Sequence, residues 1–187
     1  IKKIAYKREI LECLRFLYGK NPFPFQTLNF PNGTEQHVHS DAVHFHSLPK
    51  GFMCGVWVAF ENVTRDSGPL FYYPESHKLP YTTAKSLGLS YSELINNKYP
   101  QKFFEKEWRD LIKYKKYKKD LFLAKKGDVL IWHSNLLHGG SKVIDPNLSR
   151  WSQVTHYFFE DCIYTTPLFM AYDSPIDGQQ WRHASKI

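Results

Sequence analysis

The chain is 187 residues long, the size of one domain with room for a real core. Its net charge of +7 points to anionic partners but does not separate a small acid from a phosphate ester or a nucleic acid. Aromatic residues make up 17% of it, which favours strands around an aromatic-lined interior over a helical bundle, and no apolar run reaches the length of a membrane span.

The start, Ile1-Lys2-Lys3-Ile4, has neither the apolar stretch nor the small-residue cleavage site of a signal peptide, and without a Met it fits a truncated start. From Lys7 to Tyr18, Ile10, Leu11, Leu14 and Leu17 recur at helical spacing; Gly19 stops that helix, and Pro22 and Pro24 prevent a restart. Phe25 to Phe30 reads as a strand, Pro31-Asn32-Gly33 as a turn, and His39 to Asp41 as a further strand. Met53 to Phe60 is nearly all apolar, as a strand covered on both faces is. Asn62 to Gly68 is polar and turn-like, and Leu70 to Tyr73 is a short strand ended by Pro74.

A helical insertion follows at about 80–120. Ser90 and Glu93 form a capping box, and Phe104, Trp108, Leu111 and Ile112 give a second helix its apolar face. Strands return at Val129 to Trp132 and at Trp151 to Phe159. This order predicts a mainly β fold, a single jelly-roll or cupin-like barrel over residues 1–187 with helices packed outside.

The stretch that organises the chain is His39-Ser40-Asp41. On a strand, positions i and i+2 share a face, so an imidazole and a carboxylate reach one cation together. One more His completes a two-His-one-carboxylate set, which leaves open positions and suits non-haem Fe(II). His138 is the candidate, where a strand has run into a loop and just before Gly139-Gly140, which let backbone approach a bound group closely. Twelve residues on, Arg150 and Ser152 share a strand face; a guanidinium fork beside a hydroxyl is a good carboxylate receptor.

Together, His39-Ser40-Asp41, His138-Gly139-Gly140-Ser141 and Arg150-x-Ser152 resemble the iron(II)/2-oxoglutarate oxygenases, and most of all the phytanoyl-CoA dioxygenase family. Gly68-Pro69-Leu70 leading to Pro74-Glu75-Ser76-His77-Lys78 and the Gly127-Asp128 lead-in add to the likeness, which covers roughly residues 20–160. One departure is Glu75, where relatives usually carry Gly; it bears on the local turn rather than the metal.

The resemblance implies a double-stranded β-helix in which His39, Asp41 and His138 bind Fe(II) and carry catalysis. It also implies that Arg150 takes the far carboxylate of 2-oxoglutarate, with Trp57 lining the co-substrate site and Ser152 a second contact. Gln26 or Asn29 reaches the co-substrate too, the choice depending on register. The reaction so implied consumes O₂ and 2-oxoglutarate, releases succinate and CO₂, and hydroxylates a small-molecule substrate. The carboxylate of Asp41 favours hydroxylation over halogenation, because halogenating relatives replace it with a small residue.

Blander readings stand beside these. Of the other histidines, His37 suits a supporting or surface role, since a fourth protein ligand would fill a position the chemistry needs. His44 and His46 line the mouth or pack, His133 ends its strand in a hydrogen bond, and His156 sits deeper on the Arg150 face as a satisfied core residue. His77 and His183 carry no argument. The run Lys113 to Lys119, interleaved with Tyr114 and Tyr117, reads as a solvated helix end rather than a nucleic-acid surface.

Cys13, Cys54 and Cys162 are odd in number and form no CxxC, which argues against disulfides and a zinc cluster and fits a reducing cytoplasm. Two rival functions remain: a non-catalytic jelly-roll binding protein, and an oxygenase acting on nucleic acid. Neither substrate identity nor oligomeric state is written in the residues.

Overall fold

The computed structural model describes residues 2–171, 173, 186 and 187. Two helices lead, α1 (Lys2–Ala5) and α2 (Arg8–Tyr18), the second closed by Gly19 at φ 68°. Nine strands follow among the described residues: β1 (Pro22–Phe30), β2 (His46–Leu48), β3 (Met53–Ala59), β4 (Leu70–Tyr72), β5 (Asp120–Phe122), β6 (Val129–His133), β7 (His138–Gly140), β8 (Ser152–Phe159) and β9 (Ile163–Thr165). They form a four-stranded sheet in the order β1-β8-β3-β6, a three-stranded sheet β5-β4-β7, and the pair β2-β9, all antiparallel. This is the mainly β jelly-roll architecture that the strand pattern predicts.

Strand β3 is buried on both faces, for a reason its sequence shows. Cys54 and Val56 point to the outer face, where they pack with Tyr157 and Phe159 of β8 against Ile10 and Leu14 of α2. Trp57 and Ala59 point inward, where they meet Leu70 of β4 and Trp132 of β6 between the two larger sheets. A strand with two apolar faces has to be covered twice.

The helical excursion occupies the connection between β4 and β5, which pair directly as Leu70 with Phe122. Helix α3 (Tyr91–Ile95) starts at a complete capping box: the Glu93 N–H donates to Ser90 Oγ at 3.2 Å, and the Ser90 N–H to Glu93 Oε2 at 2.7 Å. Helix α4 (Gln101–Lys115) buries Phe104 and Trp108 and ends at Lys116, so the lysine run is the exposed end of a helix. These helices bury Leu94, Phe104 and Trp108 in one cluster with Val38, Val43 and Leu137. Val38 and Leu137 directly precede His39 and His138, so the excursion braces the chain that carries both imidazoles.

Glu75 sits at φ 65°, a left-handed position that glycine occupies without strain. The turn forms all the same. The buried Ser76 hydroxyl donates to the Tyr73 carbonyl and accepts the Leu137 N–H at 2.9 Å. No helix among the described residues is long and apolar enough to cross a membrane.

Candidate metal and co-substrate site

His39 and His138 meet through an isolated antiparallel bridge, each N–H donating to the other's carbonyl at 2.9 and 3.0 Å. Each Nδ1 lies against a carbonyl two residues back, His37 O at 2.8 Å and Leu136 O at 2.9 Å. A carbonyl only accepts, so Nδ1 carries the proton and Nε2 keeps a lone pair for a metal. Asp41 Oδ1 lies 3.5 Å from His39 Nε2 and 3.8 Å from His138 Nε2. The three ligand atoms all lie within 4.8 Å of one another, and all three residues are buried.

The expected strand over His39 to Asp41 is corrected here. His39 belongs to the bridge, whereas Asp41 opens a 3₁₀ turn, Asp41–Val43. Strand alternation therefore does not unite the pair; a turn folded back on the loop after β6 does. Ser40 Oγ donates to the Ser134 carbonyl at 3.0 Å, and the Ala42 N–H donates to the same carbonyl at 2.9 Å.

The paired glycines also do something other than admit a ligand. A Cβ at Gly139 would stand 2.6 Å from the Gln36 carbonyl, and one at Gly140 would stand 2.8 Å from Thr34 Oγ1. They make room for segment 34–36 of the chain itself, whose Gln36 carbonyl accepts the Gly140 N–H at 2.9 Å.

Burial, aided by the nearby His39, pushes the His138 pKa down to about 4. Burial pulls His39 the same way, but the hydrogen bond and charge of Asp41 outweigh it and raise its pKa. Burial also opposes the charge on Asp41, yet His138, His156 and His39 hold its carboxyl well below the usual range. The second oxygen, Oδ2, accepts the Trp132 indole N–H at 2.8 Å.

The same cavity contains the other end of the site. Arg150 is 3% exposed, and its guanidinium carbon lies 5.7 Å from the Trp57 ring centroid. One terminal nitrogen donates to the Asn32 carbonyl at 3.3 Å, but Nε has no hydrogen-bond partner. Burial lowers the Arg150 pKa only to about 10, so the group stays charged. Ser152 Oγ is fully buried and unpartnered as well, but Ser152 is not among the residues that line the cavity. Buried donors without partners are costly unless a ligand satisfies them. A carboxylate would supply the acceptor that the Arg150 Nε lacks.

A bulge between Pro24 and Gln26 sets the inward parity of β1, and Gln26, Leu28 and Phe30 line the cavity. Asn29 is exposed on the opposite face, so of the two alternatives only Gln26 reaches the site. Gln26 is itself engaged by His156, its side chain 2.9 Å from His156 Nδ1.

His37 is exposed and contributes its carbonyl rather than its ring. His44 lines the cavity and bonds Gln101 through Nε2 at 2.7 Å. His46 stacks edge-on to Tyr81, and His133 Nδ1 accepts the Asn135 N–H. His183 lies outside the described residues. Sequence reasoning did not single out Trp132 for the site; its signal was a lone indole in an apolar strand that leads to the distal His. The reading of His156 as a buried residue on the Arg150 face, with its ring nitrogens partnered, agrees with the structure; its approach to Asp41 was not foreseen.

A jelly roll with a buried two-His-one-carboxylate cluster and an incompletely satisfied arginine in one cavity defines a candidate non-haem iron site. The comparisons agree. The model of the phytanoyl-CoA dioxygenase family matches residues 8–147, and the chain belongs to that family. Phytanoyl-CoA dioxygenase domain-containing protein 1 of Danio rerio is 30% identical over 80 residues, 41% of this chain and 28% of that protein. Thus the chain's match spans less than a third of that curated relative.

Two crystal structures show the same fold. The non-heme alpha ketoglutarate dependent epimerase SnoN from nogalamycin biosynthesis aligns with a TM-score of 0.64 at 18% identity, over 100% of this chain and 68% of that one. EctD from S. alaskensis, with 2-oxoglutarate and 5-hydroxyectoine, aligns with a TM-score of 0.66 at 20% identity, over 100% of this chain and 61% of that one.

Proposed function

We propose that this protein is an Fe(II)- and 2-oxoglutarate-dependent dioxygenase that hydroxylates an unactivated C–H bond of a small metabolite or its conjugate, releasing succinate and CO₂. One observation carries the reading: three convergent ligand atoms and an incompletely satisfied buried guanidinium share one cavity. Family membership and the fold of the iron- and 2-oxoglutarate-dependent structures support it.

His39 Nε2, Asp41 Oδ1 and His138 Nε2 would hold the iron, with both imidazoles fixed in the required tautomer by main-chain carbonyls. Arg150 would bind the carboxylate of 2-oxoglutarate distant from the metal, with Ser152, two residues on, as the second contact. Trp57 packs against the guanidinium and keeps that end dry. When bound, the iron supplies O₂ activation coupled to oxidative decarboxylation of 2-oxoglutarate. The protein's share is to bind, orient and shield.

The test is succinate release in the presence of Fe(II), 2-oxoglutarate and O₂, with mass spectrometry of a metabolite pool for a gain of one oxygen. Succinate formation that needs all three components is the expected result. Absence of both uncoupled turnover and a visible band on anaerobic addition of Fe(II) and 2-oxoglutarate would leave a binding protein in place of an enzyme.

A further inference from the structure

The iron reading leaves one part of the cavity unused. His156 is buried, projects from β8 and lines the cavity with Arg150. Its Nε2 lies 3.5 Å from Asp41 Oδ2, the same oxygen that accepts the Trp132 indole N–H at 2.8 Å. Its Nδ1 lies 2.9 Å from Gln26 Oε1. Asp41 is thus addressed from two sides. Oδ1 faces His39 and His138, and Oδ2 faces an indole and a third imidazole.

We propose that Gln26, His156 and Trp132 form a clamp on Asp41 Oδ2 that makes Asp41 a one-oxygen metal ligand. The inference rests on the iron reading of the site. A carboxylate free to rotate can give both oxygens to a cation, and the second would fill a position the co-substrate or O₂ needs. Two donors on Oδ2 remove that choice.

His156 donates to Oδ2 when Nε2 carries its proton. In the structure Gln26 presents Oε1 to Nδ1; exchanging the O and NH₂ of the carboxamide, two ends of nearly the same shape, presents the NH₂ instead and selects that tautomer. His156 and Gln26 are therefore positioning residues that act on the metal through Asp41. They come from neighbouring strands, β8 and β1, which pair directly at Gln26 and His156.

The experiment is anaerobic titration of the metal-free protein with Co(II), read by calorimetry and by the visible Co(II) spectrum, on wild type and three variants. His156→Phe keeps a ring but no donor, and weakens Co(II) binding roughly 10- to 100-fold, the usual effect of losing a hydrogen bond to a metal ligand. His156→Gln places an amide N–H close to the position of Nε2 and restores affinity to within a few-fold. Gln26→Leu removes the tautomer lock and falls between them; it also serves if His156→Phe does not fold.

The visible spectrum of His156→Phe shifts towards higher coordination as both Asp41 oxygens engage. Affinity and spectrum unchanged in His156→Phe overturn the clamp. Equal losses in His156→Phe and His156→Gln overturn it too, since packing alone then explains them. If the wild-type protein binds no Co(II) at all, the iron reading itself fails, which is a different result.

Discussion

The two ends of the cavity are built in opposite ways. At the metal end, each ring nitrogen not reserved for a cation is tied to the main chain, and Asp41 Oδ2 is held by an indole N–H. At the Arg150 end, the guanidinium Nε is buried without a partner. The first is preorganised at little cost, because backbone carbonyls satisfy the imidazoles whether or not a cation is present. The second holds an uncompensated donor, which on the proposed reading waits for an acceptor that arrives with a ligand. Substitutions at the metal end should therefore remove function outright, whereas those at the arginine end should trade affinity against stability.

The largest effect is expected from Asp41→Ala or His138→Ala. Either deletes a ligand atom and lowers metal affinity by more than the roughly 100-fold seen for outer contacts, so succinate release falls to background. Next is Arg150→Met. Removing a buried charge partner typically costs ~2–5 kcal/mol of binding, so 2-oxoglutarate affinity drops ~30-fold or more. The apoprotein's unfolding temperature is not lowered, because the variant no longer buries an unpaired donor. A large fall in apo stability would contradict the contrast between the two ends.

Gly55→Ala reaches the metal end indirectly. Gly55 lies opposite Trp132 in the β3–β6 register, and a Cβ there would stand 2.3 Å from the indole. The expected cost is ~1–3 kcal/mol of stability, with weakened metal binding as the indole leaves Asp41. Thermal unfolding and Co(II) titration measure the two parts.

Acid sharpens the comparison further. Burial lowers the pKa of His46, His133 and His138 each to about 4. Between about 6.5 and 4 the unfolded chain binds more protons at these sites than the fold does, so apo stability falls as pH drops through that window. His39, whose pKa is raised, contributes in the opposite sense, but it is one group against three. The unfolding temperature of the metal-free protein should therefore fall steadily from pH 7 to pH 5.

The smallest effect is Glu75→Gly. It relieves a left-handed backbone at φ 65° but adds freedom to the unfolded chain, for a net gain of ~0.5–1 kcal/mol and a slightly higher unfolding temperature. The site lies outside the cavity lining, so 2-oxoglutarate affinity should not change.

Much of this was legible in the residues because it depends on local pattern. Apolar spacing marked α2, a doubly apolar run marked β3 as a strand with two covers, and Ser90 with Glu93 marked the start of α3. The ligand set and the arginine were legible because few residue types bind a metal or a carboxylate, and their order along the chain is distinctive. Short strands such as β2, β7 and β9 were not, since three residues carry no usable periodicity.

Tertiary structure alone decided the rest. Which side chain of β1 faces inward hung on a one-residue bulge, and a shift of one residue reverses every side chain. Whether Gly139 and Gly140 admit a ligand or a neighbouring segment hung on where residues 34–36 return. The roles of Trp132 and His156 hung on the meeting of β6 and β8 with the turn at Asp41. A sequence names the groups able to do the chemistry; distances between strands far apart in the chain decide which of them touch.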